Sequence, residues 1–154
     1  MGLRCSCGVR TNPISTTNVT LTFVDVEPRE DRNGILTLTI DACADRPDQS
    51  TLTAFVDQSG LIPNRSFTFT ATDFEFVACG LVSGPVDIEC RVQLGGIGLV
   101  TGQTTLFDFT FDLRNPESPL SDILEQIVIV NFANSLERRE LQPALTFFGC
   151  PPTP

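Results

Sequence analysis

From residue 16 onward, apolar and polar side chains alternate with a period of two, the pattern of strands buried on one face. In TTNVTLTFVDV, Val19, Leu21 and Phe23 share a face opposite Thr20 and Thr22. GILTLTIDAC sets Leu36, Leu38, Ile40 and Ala42 inward and Thr37, Thr39, Asp41 and Cys43 outward. Between them, Asn33-Gly34 predicts a hairpin turn. TLTAFVD alternates Leu52, Ala54 and Val56 against polar positions, RSFTFTATD stacks Phe67, Phe69 and Ala71, and FEFVAC adds Phe74 and Phe76. PVDIECRVQL opposes Val86, Ile88, Cys90, Val92 and Leu94 to Asp87, Glu89, Arg91 and Gln93. TLFDFTFDL aligns Phe107, Phe109, Phe111 and Leu113.

The alternation breaks in a few places. GGIGLVTG reads as a glycine-rich loop or a flexible strand edge, without the strand-loop-helix order of a phosphate cradle. SPLSDILEQI has helical spacing with Ser118 or Ser121 as cap, and runs into IVIVNF, a strand buried on both sides. LERRELQPALTFFGCPPTP gives short strands and a proline tail. Residues 1–15 show no periodicity and carry Gly8, Asn12 and Pro13, the composition of an extended arm. The division expected is therefore an arm over 1–15, one domain over 16–150 and a tail over 151–154. Short strands at regular spacing predict an all-β protein, a single antiparallel β-sandwich of jelly-roll type carrying an extended N-terminal arm.

With 154 residues the chain can bury a full core without help from a metal. Its net charge of −9 argues against nucleic acid or anionic membrane as a partner. It contains no apolar run of about 18 residues, so membrane insertion is not expected. Arg4 and Arg10 are not accompanied by an apolar segment, so a secretory signal is not expected either. The chain has no His, Tyr or Trp, and all ten basic residues are Arg. Arginine favours fixed, bidentate pairing at packed interfaces. A cysteine nucleophile would lack an activating base. Asp87, Glu89, Asp108 and Asp112 read as a solvated face, and Asp25, Glu27, Glu30 and Asp31 lack the ligand spacing of a calcium loop. CSC is not at zinc spacing. An enzyme is therefore not expected, nor any cofactor. Two glycosylation triplets occur, at Asn18 and Asn64. A sugar-binding face is disfavoured by the missing Trp and Tyr.

The cysteines carry the remaining chemistry. Gly2 followed by Ser6 matches a myristoylation pattern with Cys5 and Cys7 as palmitate sites, but an acylated arm leaves the other four cysteines unexplained. Disulfides account for more. Strand parity points Cys90 into the core, where Cys79, one turn earlier, is its first expected partner within the chain and Cys150 its second. Closing the short loop from Cys79 to Cys90 is worth roughly 3 kcal/mol. Cys43 points outward, Cys150 precedes the tail, and Cys5 and Cys7 lie on the arm. Cysteines so placed suit links between subunits, with Cys43 and Cys150 receiving Cys5 or Cys7; the alternative is that they pair within one chain.

This plan, a short N-terminal connector bearing Cys5 and Cys7, no signal segment and a single jelly-roll domain, resembles the subunits of bacterial endospore appendages. The resemblance implies a connector that reaches into subunits further along a fibre and bonds to them through disulfides. It also implies synthesis in the mother cell and release at lysis. The expected function is thus a structural subunit of a self-assembling extracellular filament, pilus-like or spore-appendage-like. Its partner is a second copy of itself in a helical homo-oligomer at the cell or spore surface. The alternative is a jelly-roll binding module recognising a receptor or glycan at a viral or cell surface.

Overall fold

The computed structural model describes residues 5–11, 14–85, 88–116, 122–143 and 145–149. The alternating segments form long strands: β2 (Ser15–Phe23), β3 (Glu30–Cys43), β4 (Thr51–Asp57), β5 (Phe67–Ser83), β6 (Ile88–Val100), β7 (Phe107–Pro116) and β8 (Ile123–Ile129). Short strands complete the set: β1 (Gly8–Arg10), β9 (Ala133–Ser135), β10 (Arg139–Glu140) and β11 (Thr146–Phe148). A single 3-10 turn, Pro47–Gln49, separates β3 from β4.

Strands β2 to β9 each pair antiparallel with their neighbours in sequence, and β9 returns to β2 through Thr22↔Asn134 and Phe23↔Ala133. The sheet therefore closes into an eight-stranded antiparallel barrel with extra strands. This corrects the expected sandwich of jelly-roll type. A jelly roll needs Greek-key crossings, whereas this order is a meander. Alternation reports that one face is buried and says nothing of which strand pairs with which, and barrels and sandwiches bury one face alike.

Parity holds in β2, β3, β4 and β7, where Leu21, Phe23, Leu36, Leu38, Leu52, Phe111 and Leu113 are buried. Eight of the twelve phenylalanines make aromatic contacts: Phe23, Phe67, Phe107 and Phe132 at one site, Phe69, Phe74, Phe109 and Phe111 at another. Most of these pairs are edge-to-face, the arrangement the ring quadrupoles favour.

Four local expectations change. Asn33 and Gly34 lie inside β3, paired with Thr20 and Val19, and the chain reverses earlier, between Phe23 and Glu30. GGIGLV is the end of β6, where Gly95 lies beneath the Phe76 ring and Gly98 against Phe69, so small residues leave room for aromatics. The stretches RSFTFTATD and FEFVAC are one strand, β5, with register shifts between Ala71 and Asp73 and between Phe74 and Phe76. Those shifts turn Phe74 toward the core and leave Phe76 exposed. The segment expected to be helical is strand β8 from Ile123 onward; residues 118–121 lie outside the described residues. A register shift opposite Asp112 and Leu113 leaves Glu125 unpaired, so Leu124 and Ile127 both face inward. Apolar residues three apart mimic a helix when a bulge intervenes.

The barrel closes along the segment that follows β8. Asp122 pins it: its backbone carbonyl accepts from the Leu141 N–H at 2.8 Å and its carboxylate from the Leu145 N–H at 2.6 Å. The same carboxylate accepts from Asn115 Nδ2 at 2.6 Å. Burial pushes the Asp122 pKa above its ordinary 3.8, outweighing the two hydrogen bonds that lower it. A raised carboxyl pKa means the folded state holds its proton more tightly than the unfolded chain. The contribution of Asp122 to stability is therefore greatest at and below pH 3.8 and falls as pH rises through the folded-state pKa. Urea titrations of the wild type and Asp122→Ala across this range are expected to show the wild type's advantage shrinking as pH rises.

Candidate functional site

The arm is the feature that the fold treats apart from the rest. Its strand β1 lies between β3 and β11, pairing Gly8↔Cys43 and Arg10↔Asp41 on one side and Gly8↔Phe148 and Arg10↔Thr146 on the other. Every residue of β1 thus pairs with chain segments remote in sequence. Val9 is fully buried in the core, and Thr11 extends the pairing by donating its N–H to the Ile40 carbonyl at 2.9 Å. The Arg10 guanidinium lies 3.4 Å from the Asp41 carboxylate and over the Phe148 ring.

The slot is tight at two glycines. A Cβ on Gly8 would collide with the Ala42 carbonyl oxygen, and one on Gly149 with the Ser6 carbonyl oxygen. Gly149 also adopts φ +88°, a left-handed conformation open mainly to glycine.

Ahead of β1, the CSC stretch is held at each of its three residues. Cys5 is disulfide-bonded to Cys43 with Cα atoms 5.6 Å apart, and Cys7 to Cys79 with Cα atoms 5.8 Å apart. Between them, the Ser6 N–H and hydroxyl both donate to the Asp45 carboxylate at 2.8 Å. The Cys7 carbonyl accepts from the Ala44 N–H at 2.8 Å. The hydrogen bonds from Ser6, backbone first and then hydroxyl, hold the Asp45 pKa below its ordinary 3.8. With a depressed folded-state pKa, this contact stabilises docking above pH 3.8 and is lost as pH falls through the lower, folded-state pKa.

These pairings revise the expected ones. Cys79 is joined to Cys7 rather than to Cys90, because the arm, paired alongside the end of β3, also reaches β5. Cys90 is buried and disulfide-bonded. In the β5–β6 register Cys79 lies opposite Val92, and Cys90 opposite Leu81, so the two cysteines are offset along the ladder. The pair Cys5–Cys43 joins the two residues expected to meet, here within one chain. Cys43, expected to face outward, is 2% exposed beneath the arm. Cys150 lies outside the described residues. Both cysteines proposed for palmitate are used in disulfides. These two bonds fit an oxidising environment.

Two partners had no signal in the sequence. Asp45 sits in a turn cluster indistinguishable from other acidic turns, and proximity in the chain points Cys79 to Cys90 instead.

The acidic positions of β6 and β7 are a different kind of site. Glu89 and Asp112 are 2% and 3% exposed instead of solvated, and Asp87 lies outside the described residues, while Asp108 is exposed. Arg114 lies 3.1 Å from Asp112 and 3.5 Å from Glu89, Arg91 lies 3.2 Å from Asp112, and Arg138 bridges Glu89 and Glu125. Burial alone lowers the pKa of Arg114 and Arg138, but the carboxylates around each outweigh it and raise both. Three guanidinium groups thus face three carboxylates, a balanced network that ties β6, β7 and β8 to the segment after β9. Elsewhere, Asp25 pairs with Arg65 at 2.8 Å, Glu30 with Arg32 at 2.8 Å, and Asp31 accepts from the Thr22 hydroxyl at 2.6 Å. Among the described residues, no three Cys, Asp or Glu side chains gather as a metal site would require. No helix among them is long and apolar enough to cross a membrane.

No protein-family model, curated protein or solved structure matches the chain.

Proposed function

We propose that the chain is the structural subunit of a self-assembling extracellular filament, pilus-like or of the spore-appendage kind, in which the arm of one copy occupies the slot of the next. The observation that carries this reading is the arm itself: a separate strand seated between β3 and β11 and fastened by Cys5–Cys43 and Cys7–Cys79. All of these contacts join the arm to strands far along the chain. An arm from a second copy makes the same hydrogen bonds, buries the same Val9 side chain and meets the same two cysteines. Exchanging an identical element between copies is a low-cost route to assembly, and a head-to-tail exchange that does not close produces a helical fibre. In an oxidising medium the disulfides make release slow.

This reading keeps Cys5, Cys7 and Cys43 as links between subunits, adds Cys79 as the acceptor for Cys7, and joins copies by strand insertion into a barrel. Electron microscopy of chain oxidised from the reduced state at high concentration tests it. Fibres that resist denaturant until reductant is added are the expected result. Compact monomers at every concentration would contradict the reading.

A further inference from the structure

The arm bends where its cysteines sit. Val9 and Ala42 pair in the β1–β3 ladder and are both buried in the core, so the next pair, Gly8 and Cys43, takes the outer face. An arm that stayed extended ahead of Gly8 would return both Cys7 and Cys5 to the inner face with Val9. Cys79 lies on that face, opposite the buried Val92 and packed against the core. Two thiols would then compete for Cys79, and Cys43 would have none. A bend at Ser6 and Cys7 separates them. It carries Cys5 back across Gly8, where a Cβ on the glycine would lie 2.8 Å from the Cys5 sulfur, and onto Cys43. The Cys5 sulfur comes to rest 3.1 Å from the Cys7 carbonyl oxygen.

We infer that Asp45 is a positioning residue that sets which arm cysteine meets which acceptor, by gripping the bend at Ser6. Its carboxylate accepts from the Ser6 N–H and hydroxyl at 2.8 Å each and lies 3.8 Å from the Cys43 sulfur. Charge-assisted bonds from two atoms of one residue fix its orientation as well as its place. Ser6 stands between the two cysteines, so its orientation decides that they face different acceptors. Asp45 follows Cys43 by two residues in the turn after β3, which keeps grip and acceptor together. Each bond closes by thiol–disulfide exchange: a small-molecule disulfide takes the two electrons and two protons of a cysteine pair and departs as two thiols. The inference concerns which thiol meets which, so it applies to an arm from the same chain or from another copy.

The test is to reduce the full chain, reoxidise it in a buffer of oxidised and reduced glutathione, and map the disulfide-linked peptides. The wild type is expected to give Cys5–Cys43 and Cys7–Cys79. Asp45→Ala should raise the share of Cys5–Cys79 peptides and of unlinked Cys43 at least about fivefold, the factor that losing one net hydrogen bond allows. Asp45→Asn keeps an acceptor oxygen and should bring the pairing back to within about twofold of wild type. Ser6→Ala keeps the N–H donor and should fall between wild type and Asp45→Ala. Asp31→Ala removes another exposed carboxylate, one that accepts from the Thr22 hydroxyl at the opposite end of β3, and should leave the pairing unchanged. An Asp45→Ala chain that pairs as the wild type does, or an Asp31→Ala chain that mispairs as much, overturns the inference. The map reads pairing whichever copies the peptides come from, so that failure would leave the exchange of arms between copies standing.

Discussion

Phe69→Ala is expected to destabilise the protein by about 3–5 kcal/mol, the range for removing a buried aromatic side chain. Phe69 is fully buried, packs edge-on to Phe109 and stacked with Phe111, and its ring fills the space that Gly98 leaves open. Truncation removes the contacts of three strands, β5, β6 and β7, at one point, and the rigid barrel wall cannot collapse onto the gap. Denaturant titration should show the midpoint shifted with the slope unchanged. A loss below about 1 kcal/mol would mean that the aromatic cluster is loosely packed.

The inward position of Phe69 was legible from alternation alone, as were those of Leu21, Leu38, Leu52 and Phe111. Legibility failed where the backbone inserts an extra residue. The shifts around Thr72 and Glu75 in β5 moved Phe74 and Phe76 to opposite faces, and the one at Glu125 made β8 read as a helix. A bulge is a property of two strands in register, and a single strand's sequence does not announce it. The closed meander was illegible for the same reason, since pairing partners are chosen in three dimensions.

Of the candidate site, the sequence singled out Cys5 and Cys7, because cysteines on an aperiodic arm have no core role, and named Cys43, by its outward parity, and Cys150 as receivers. It missed Asp45 and misassigned Cys79, because nearness along the chain says little about which strand an arm will cross. Glu89 and Asp112 looked solvated by parity, yet the arginines of β6 and β7 and the one following β9 cover them.

Replacing Cys5 and Cys7 together by Ser is the second large perturbation. The bonds they make span 38 and 72 residues of chain. Where the arm closes on its own barrel, loop-closure entropy assigns about 4 kcal/mol to each, and the overlapping loops make the total smaller than the sum. The unassembled double variant is therefore expected to lose more than about 4 kcal/mol relative to the oxidised monomer. It should still place β1 between β3 and β11, since Val9 and the backbone ladder are untouched, and assemble into fibres that dissolve in denaturant. Fibres as resistant as the wild type would remove the disulfides from the account.

The central claim is that the arm's slot is filled by a neighbouring copy. The direct measurement is to reduce unlabelled and 15N-labelled chains, mix them, oxidise them under assembly conditions and weigh the disulfide-linked peptides. The account predicts Cys5–Cys43 and Cys7–Cys79 peptides in which one half is light and the other heavy. If every such peptide is wholly light or wholly heavy, the arm closes on its own barrel and the claim is contradicted.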